Sequence, residues 1–175
     1  MMLTISVMYC SGVSEAAQAV AATAGQGCAA GGADADVAAG LVQLTALVQA
    51  IYARVSERHD LTPVQAKLLT ALLDGPRGMA ELACCFGVEK AALTGLIDRA
   101  ERRDLARRSP VPGDRRAVHV TLTEAGHRAA AAFNAEVSAE LSRLVAPLAE
   151  PDREHFRSTV AEVIASCRAS RPDHC

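Results

Sequence analysis

Nearly the whole chain repeats its apolar residues at helical spacing, and one segment breaks that rhythm. Across residues 117–122, Val118, Val120 and Leu122 alternate with Ala117, His119 and Thr121, the period of two that marks a strand with one buried face. Residues 105–108 offer a partner strand. Ser109-Pro110-Val111-Pro112-Gly113-Asp114-Arg115-Arg116 lies between them, with the proline and glycine of a turn. One small β-hairpin in an otherwise helical chain is therefore the expected architecture. Composition points the same way: half of the 175 residues are hydrophobic, but only 3% are aromatic and Trp is absent. Alanine and leucine must do most of the packing, which favours helices over sheet.

The helices can be placed from their apolar stripes and their punctuation. Val37, Leu41, Leu44, Val48, Ile51 and Val55 follow a 4-3-4-3-4 spacing, a heptad seam that either packs on the chain's own core or pairs with a second copy. In Leu61-Thr62-Pro63-Val64-Gln65, Thr62 can cap, Pro63 suits the first helical position and Gln65 can complete a capping box. That helix is expected to run to Asp74, where Gly75-Pro76 stops it. A short helix covers residues 79–86, Gly87 breaks it, and a longer one follows over residues 89–103. Thr123 caps a helix reaching about residue 146, with Phe133, Val137, Leu141, Leu144 and Leu148 on one face and Pro147 and Pro151 bracketing its end. Phe156, Val160, Val163 and Cys167 mark a last helix. Residues 1–36 are Ala/Gly-rich and are read as a mobile tail that buries too little to offset its ordering entropy.

Charge is informative by position. The net charge is −2, yet residues 99–116 hold Arg99, Arg102, Arg103, Arg107, Arg108, Arg115 and Arg116 against three acidic residues. A basic segment on an acidic body is a plausible phosphate-facing footprint. The six cysteines come with no basic, signal-like start, and every long apolar stretch is interrupted by Gly, Gln or Asp. A cytoplasmic protein with reduced thiols and no membrane partner is the expectation. There is no C-x-x-C, no phosphate-cradling glycine loop and no paired metal-ligand spacing. Catalytic residues, a metal and cofactors are accordingly expected to be absent, and the chain is read as not an enzyme.

A helix-turn-helix needs apolar residues at the crossing and a left-handed turn residue between its helices. Leu82, Phe86, Val88, Leu93 and Leu96 supply the first, with small Ala83 at the crossing, and Gly87 supplies the second. Downstream comes Asp114-Arg115-Arg116-Ala117-Val118-His119-Val120-Thr121-Leu122-Thr123-Glu124-Ala125-Gly126, an Asp-x-Arg, strand, Leu-Thr-x-x-Gly pattern. With the preceding 93–103 helix, this stretch resembles the MarR family of bacterial transcriptional regulators. The resemblance implies a winged helix-turn-helix over residues 61–123, a helical dimerisation region over 37–60 and 124–168, and a short tail at 169–175. Asp104 stands where the family usually has glycine, which implies a less tight junction. Ala100 replaces the family's leucine, while Ala91 and Ala92 replace residues that are often Ser and Thr.

With Leu93, Leu96, Ile97 and Ala100 buried, helix geometry turns Lys90, Ala91, Thr94, Gly95 and Asp98 outward. In a major groove Lys90 would reach guanine or phosphate, Thr94 a base or phosphate, and Ala91 a thymine methyl, with Gly95 permitting close approach. Arg99, Arg102 and Arg107 would neutralise phosphates. For the wing, the resemblance implies that Arg116 enters the minor groove, Asp114 orients it, and Arg115 takes a phosphate or shares the groove. It also implies a homodimer on double-stranded DNA, a repressor on a palindromic operator, and a small phenolic effector near Tyr52, Arg54 and His59. Two alternatives stay open: a redox-sensing regulator of the same fold using Cys84 and Cys85, or a helical interaction protein that has lost DNA binding.

Overall fold

The computed structural model describes residues 32–111 and 114–169. In chain order its elements are α1 (Gly32–Arg58), α2 (Pro63–Ala71), β1 (Arg77–Gly78), α3 (Met79–Phe86), α4 (Lys90–Arg102), β2 (Ala106–Val111), β3 (Asp114–Leu122), α5 (Glu124–Val145) and α6 (Glu150–Ala169). The fold is mainly helical, with a three-stranded antiparallel sheet in the order β1-β3-β2. Helix α1 begins at Gly32 and so reaches into the segment expected to be a tail. Residues 1–31 and 170–175, where the rest of the expected tails fall, lie outside the described residues.

Local chemistry accounts for the boundaries. The Thr62 hydroxyl accepts from the Gln65 N–H at 3.3 Å, and the Gln65 side chain accepts from the Thr62 N–H at 3.0 Å, which completes the capping box beside Pro63. Helix α2 ends at Ala71 instead of Asp74, because its last bonds tighten. Leu73 N–H donates to Thr70 and Gly75 N–H to Leu72, each at 3.2 Å, an i to i+3 pattern that turns the chain before the glycine. Three helix exits use a left-handed residue: Asp60 (φ 53°), Gly87 (φ 60°) and Asp104 (φ 52°). After each one the next N–H reaches back five residues: Leu61 to Ser56, Val88 to Ala83 and Leu105 to Ala100. Asp104 therefore makes the same left-handed exit that glycine makes, and the junction is not loosened by its side chain.

The hairpin is longer than its alternating core. Strand β2 takes in Ser109 and Pro110, which pair with His119 and Val118, and the irregularity falls between Pro110 and Val111. Pro110 is tolerated because β2 lies at the sheet edge, where a missing N–H costs no ladder bond. Strand β1 is two residues long, too short to leave a periodic signal; Arg77 pairs with Val120 and Gly78 with His119.

The core gathers Val55 from α1, Leu68, Leu69 and Leu72 from α2 and the turn after it, Leu82 from α3, Leu93 and Ile97 from α4, Val120 from β3, and Phe133 and Val137 from α5. Gly126 sits where α5 crosses the chain entering β2. A Cβ there would lie 1.8 Å from the Leu105 carbonyl oxygen. This close backbone approach explains the glycine of the Leu122-Thr123-x-x-Gly126 pattern and anchors the hairpin to α5.

Candidate nucleic-acid interface

Helix α4 buries Leu93, Leu96, Ile97 and Ala100. That stripe turns Lys90, Ala91 and Thr94 fully outward and leaves Gly95 and Asp98 half-exposed, the arrangement expected from the spacing. The Thr94 hydroxyl donates to the Lys90 carbonyl at 2.8 Å, so its lone pairs remain available to an outside donor. Gly95 has open space on one side. A Cβ there would meet only an Arg99 guanidinium nitrogen, at 3.5 Å, so Arg99 lies back along the helix beside it. Val88 departs from expectation: it is exposed, not buried in the helix crossing, because the left-handed Gly87 swings it off α3.

The arginines of the basic segment separate into two groups. Arg99, Arg102 and Arg107 are exposed, and none makes an ion pair among the described residues. Arg103 is tied back to the protein, with one nitrogen 2.8 Å from Asp60 and another 3.2 Å from the Gln65 side chain. Arg108, on β2, is held by Asp98 at 2.7 Å and by Glu101. Its backbone N–H also donates to Glu101 at 2.8 Å. The basic cluster read from the sequence is thus less basic in space than in order. Asp98 and Glu101, three apart on α4 and seven or more residues ahead of Arg108, were the signal for this pairing.

At the wing, Asp114 opens β3 and pairs with Val111. The side chains of Asp114, Arg115 and Arg116 lie outside the described residues. Their backbones belong to the hairpin that leaves α4 through Leu105.

The residues expected near an effector divide between two places. Tyr52 is half-buried, meets Phe133 edge-on at 5.7 Å and lines a cavity of about 510 Å³. Val48, Gln49 and Ala53 of α1, Pro63, Val64 and Lys67 of α2, and Phe86 and Val88 complete it. Burial pushes the Lys67 ammonium below its ordinary value, and its Nζ sits 4.9 Å over the Phe86 ring. Arg54 and His59 do not line this cavity. Arg54 pairs with Glu140 at 3.2 Å and His59 with Glu136 at 2.6 Å. Arg58 bridges the two carboxylates at 2.7 and 3.1 Å. The His59 hydrogen bond, followed by the Arg58 charge, holds Glu136 below the usual carboxylate range, partly offset by desolvation. Sequence reading missed Lys67; its signal was a lone cation within Gln65-Ala66-Lys67-Leu68-Leu69.

Cys84 is exposed and Cys85 buried, and both are disulfide-bonded, so they depart from the expected reduced thiols. Among the described residues Cys167 is a free thiol, exposed on α6, and no group of three or more His, Cys, Asp or Glu could hold a metal ion.

Residues 59–117 match the model of the MarR family. Over that segment the chain is similar to the MarR family. Over 78 residues it is 42% identical to the HTH-type transcriptional repressor NicR of Pseudomonas putida, covering 44% of this chain and 49% of that protein. The match therefore spans about half the length of this curated relative. In three dimensions the likeness is wider. The crystal structure of Rv1404 from Mycobacterium tuberculosis aligns with a TM-score of 0.68 at 25% identity, over 80% of this chain and 97% of that one. A MarR family protein from Bacillus stearothermophilus aligns with a TM-score of 0.71 at 21% identity, over 77% and 94%. The likeness in fold thus extends beyond the matched segment to the terminal helices, and NicR is by name a transcriptional repressor.

Proposed function

We propose that the chain is a sequence-specific regulator of transcription that binds double-stranded DNA as a homodimer and acts as a repressor released by a small ligand. One observation carries this reading: α4 buries one stripe completely while Lys90, Ala91 and Thr94 stand free on its opposite side, next to a hairpin springing from the same helix. Helix α4 then reads the major groove, with Lys90 on guanine or phosphate, Ala91 on a thymine methyl and Gly95 keeping the helix surface low. Arg99, Arg102 and Arg107 take phosphates. The wing places Arg116 in the minor groove, with Asp114 orienting it and Arg115 beside it.

The homodimer is supported by apolar residues that one chain leaves uncovered. Val37, Leu41 and Leu47 on α1, Leu144 and Leu148 after α5's core-facing stripe, and Phe156, Val160 and Val163 on α6 are exposed. The stretch Asp36–Arg58 is long and apolar enough by length and composition to cross a membrane, which departs from the sequence expectation, and only 6% of its apolar window is buried. We assign that apolar surface to pairing with a second copy, in the compartment that holds the DNA. The cavity at Tyr52 suits a small amphipathic effector, phenolic in the reading that fits best. Apolar walls would take the ring and Lys67 the oxygen, while Arg54 and His59 act outside it by holding α1 to α5.

Footprinting on the chain's own promoter region at low salt, with and without small phenols, tests the proposal. Protection of two half-sites about one helical turn apart is expected, with affinity falling steeply as salt rises. Absence of any protection at low salt would defeat it.

A further inference from the structure

Three residues of α4 line up one above another. Thr94, Asp98 and Glu101 stand at i, i+4 and i+7 on a strip that begins at the outward face proposed to read DNA. Arg108 runs along that strip from the base of the wing. Its guanidinium meets Asp98 at 2.7 Å, meets Glu101, and reaches the Thr94 carbonyl at 3.4 Å, while its backbone N–H donates to Glu101 at 2.8 Å. All three charged side chains are between about a quarter and a half exposed. Ion pairs that open contribute little to stability, so the arrangement calls for another account.

The surroundings supply one. A duplex laid on Lys90, Ala91 and Thr94 would bring phosphates close to Asp98 and Glu101, and bare carboxylates there would repel it. Arg108 is the cation that meets both. It also ties a strand of the wing to the helix that the wing must accompany into neighbouring grooves. We propose that Arg108 is a positioning residue for DNA binding: it acts on the duplex through Asp98 and Glu101, cancelling their charge, and makes no phosphate contact of its own. Lysine is no substitute, since a single ammonium lacks the planar fork that serves two carboxylates at once. This inference rests on the DNA-binding reading above.

The test titrates a duplex selected by the wild-type protein from a random pool against four proteins: wild type, Arg108→Gln, the double variant Asp98→Asn with Glu101→Gln, and the triple variant. Active fractions are fixed by stoichiometric titration, and thermal melts follow the fold. Arg108→Gln is expected to weaken binding by about tenfold or more while melting within a few degrees of wild type. The double variant is expected to bind at least as tightly as wild type. Adding Arg108→Gln to it should cost less than about threefold, because nothing is left to cancel. A tenfold cost in the neutral background would show a direct phosphate contact and overturn the proposal. Should Arg108→Gln not fold alone, the double and triple variants decide by the same two outcomes. A wild type that selects no duplex overturns the DNA-binding reading and this proposal with it. A wild type that binds while Arg108→Gln binds equally well overturns this proposal alone.

Discussion

The winged half of the molecule and its terminal helices carry apolar stripes of the same period with opposite outcomes. On α4, Leu93 and Ile97 are wholly buried and Leu96 nearly so. On α1, Val37 and Leu41 remain 63% and 56% exposed, and Val163 on α6 is 53% exposed. The change happens within single helices. Ile51 and Val55 of the α1 seam enter the core, while the residues two and three turns earlier do not. On α5 Phe133 and Val137 are covered and Leu144 is not. An amphipathic period states that a helix has something to cover; it does not say whether the cover comes from the same chain. One region closes its core within the chain, and the other leaves exposed the apolar surface that we assign to a second copy.

The sharpest way to break this contrast is at the backbone crossing that completes the winged half. Gly126→Ala is expected to cost about 3 kcal/mol or more, since a Cβ cannot share space with the Leu105 carbonyl and α5 must shift. Urea unfolding would register it, and a near-neutral result would mean that α5 does not cross there. Leu93→Ala should cost roughly 3 kcal/mol by opening a cavity among fully buried neighbours. That loss should be independent of protein concentration. Leu41→Glu should behave in the reverse way: little change in the winged half, but a dimer weakened by about 2 kcal/mol, seen by sedimentation equilibrium. If Leu41→Glu unfolds the chain as Leu93→Ala does, the two regions are not distinct.

Smaller effects sharpen the picture. Lys90→Ala should weaken operator binding by roughly 1 kcal/mol with the dimer intact, measured by mobility shift at fixed salt. The smallest effect expected concerns the ion pairs that hold α1 to α5. Because Glu136 is held below its ordinary value of 4.5 by His59 and Arg58, its contribution is present above that value and is lost as pH falls through the depressed one. The melting difference between wild type and Glu136→Gln should stay flat from pH 7 to about 5 and close only in more acid solution. A difference that already closes by pH 6 would overturn this assignment to Glu136.

Much of the winged half was legible in advance. Thr62, Pro63 and Gln65 announce α2, Gly87 ends α3, and the outward side of α4 follows from where its leucines fall, because each is a local rule obeyed over a few residues. What went unread depended on distant strands and charges. Strand β1 exists only because β3 lies beside it, and Pro110 joins a strand only because that strand is at an edge. Arg54 and His59 were expected at a ligand and are engaged instead by carboxylates more than seventy residues away.

By itself the amino-acid order determined which segments are helical, which face of each is apolar, and that one hairpin interrupts them, because capping, periodicity and turn chemistry act over short spans of chain. Only the tertiary structure decided which arginines remain free for a partner and which are consumed at home, and where each seam stops being core. Charge pairing and burial are settled by neighbours in space, and linear order does not list those neighbours.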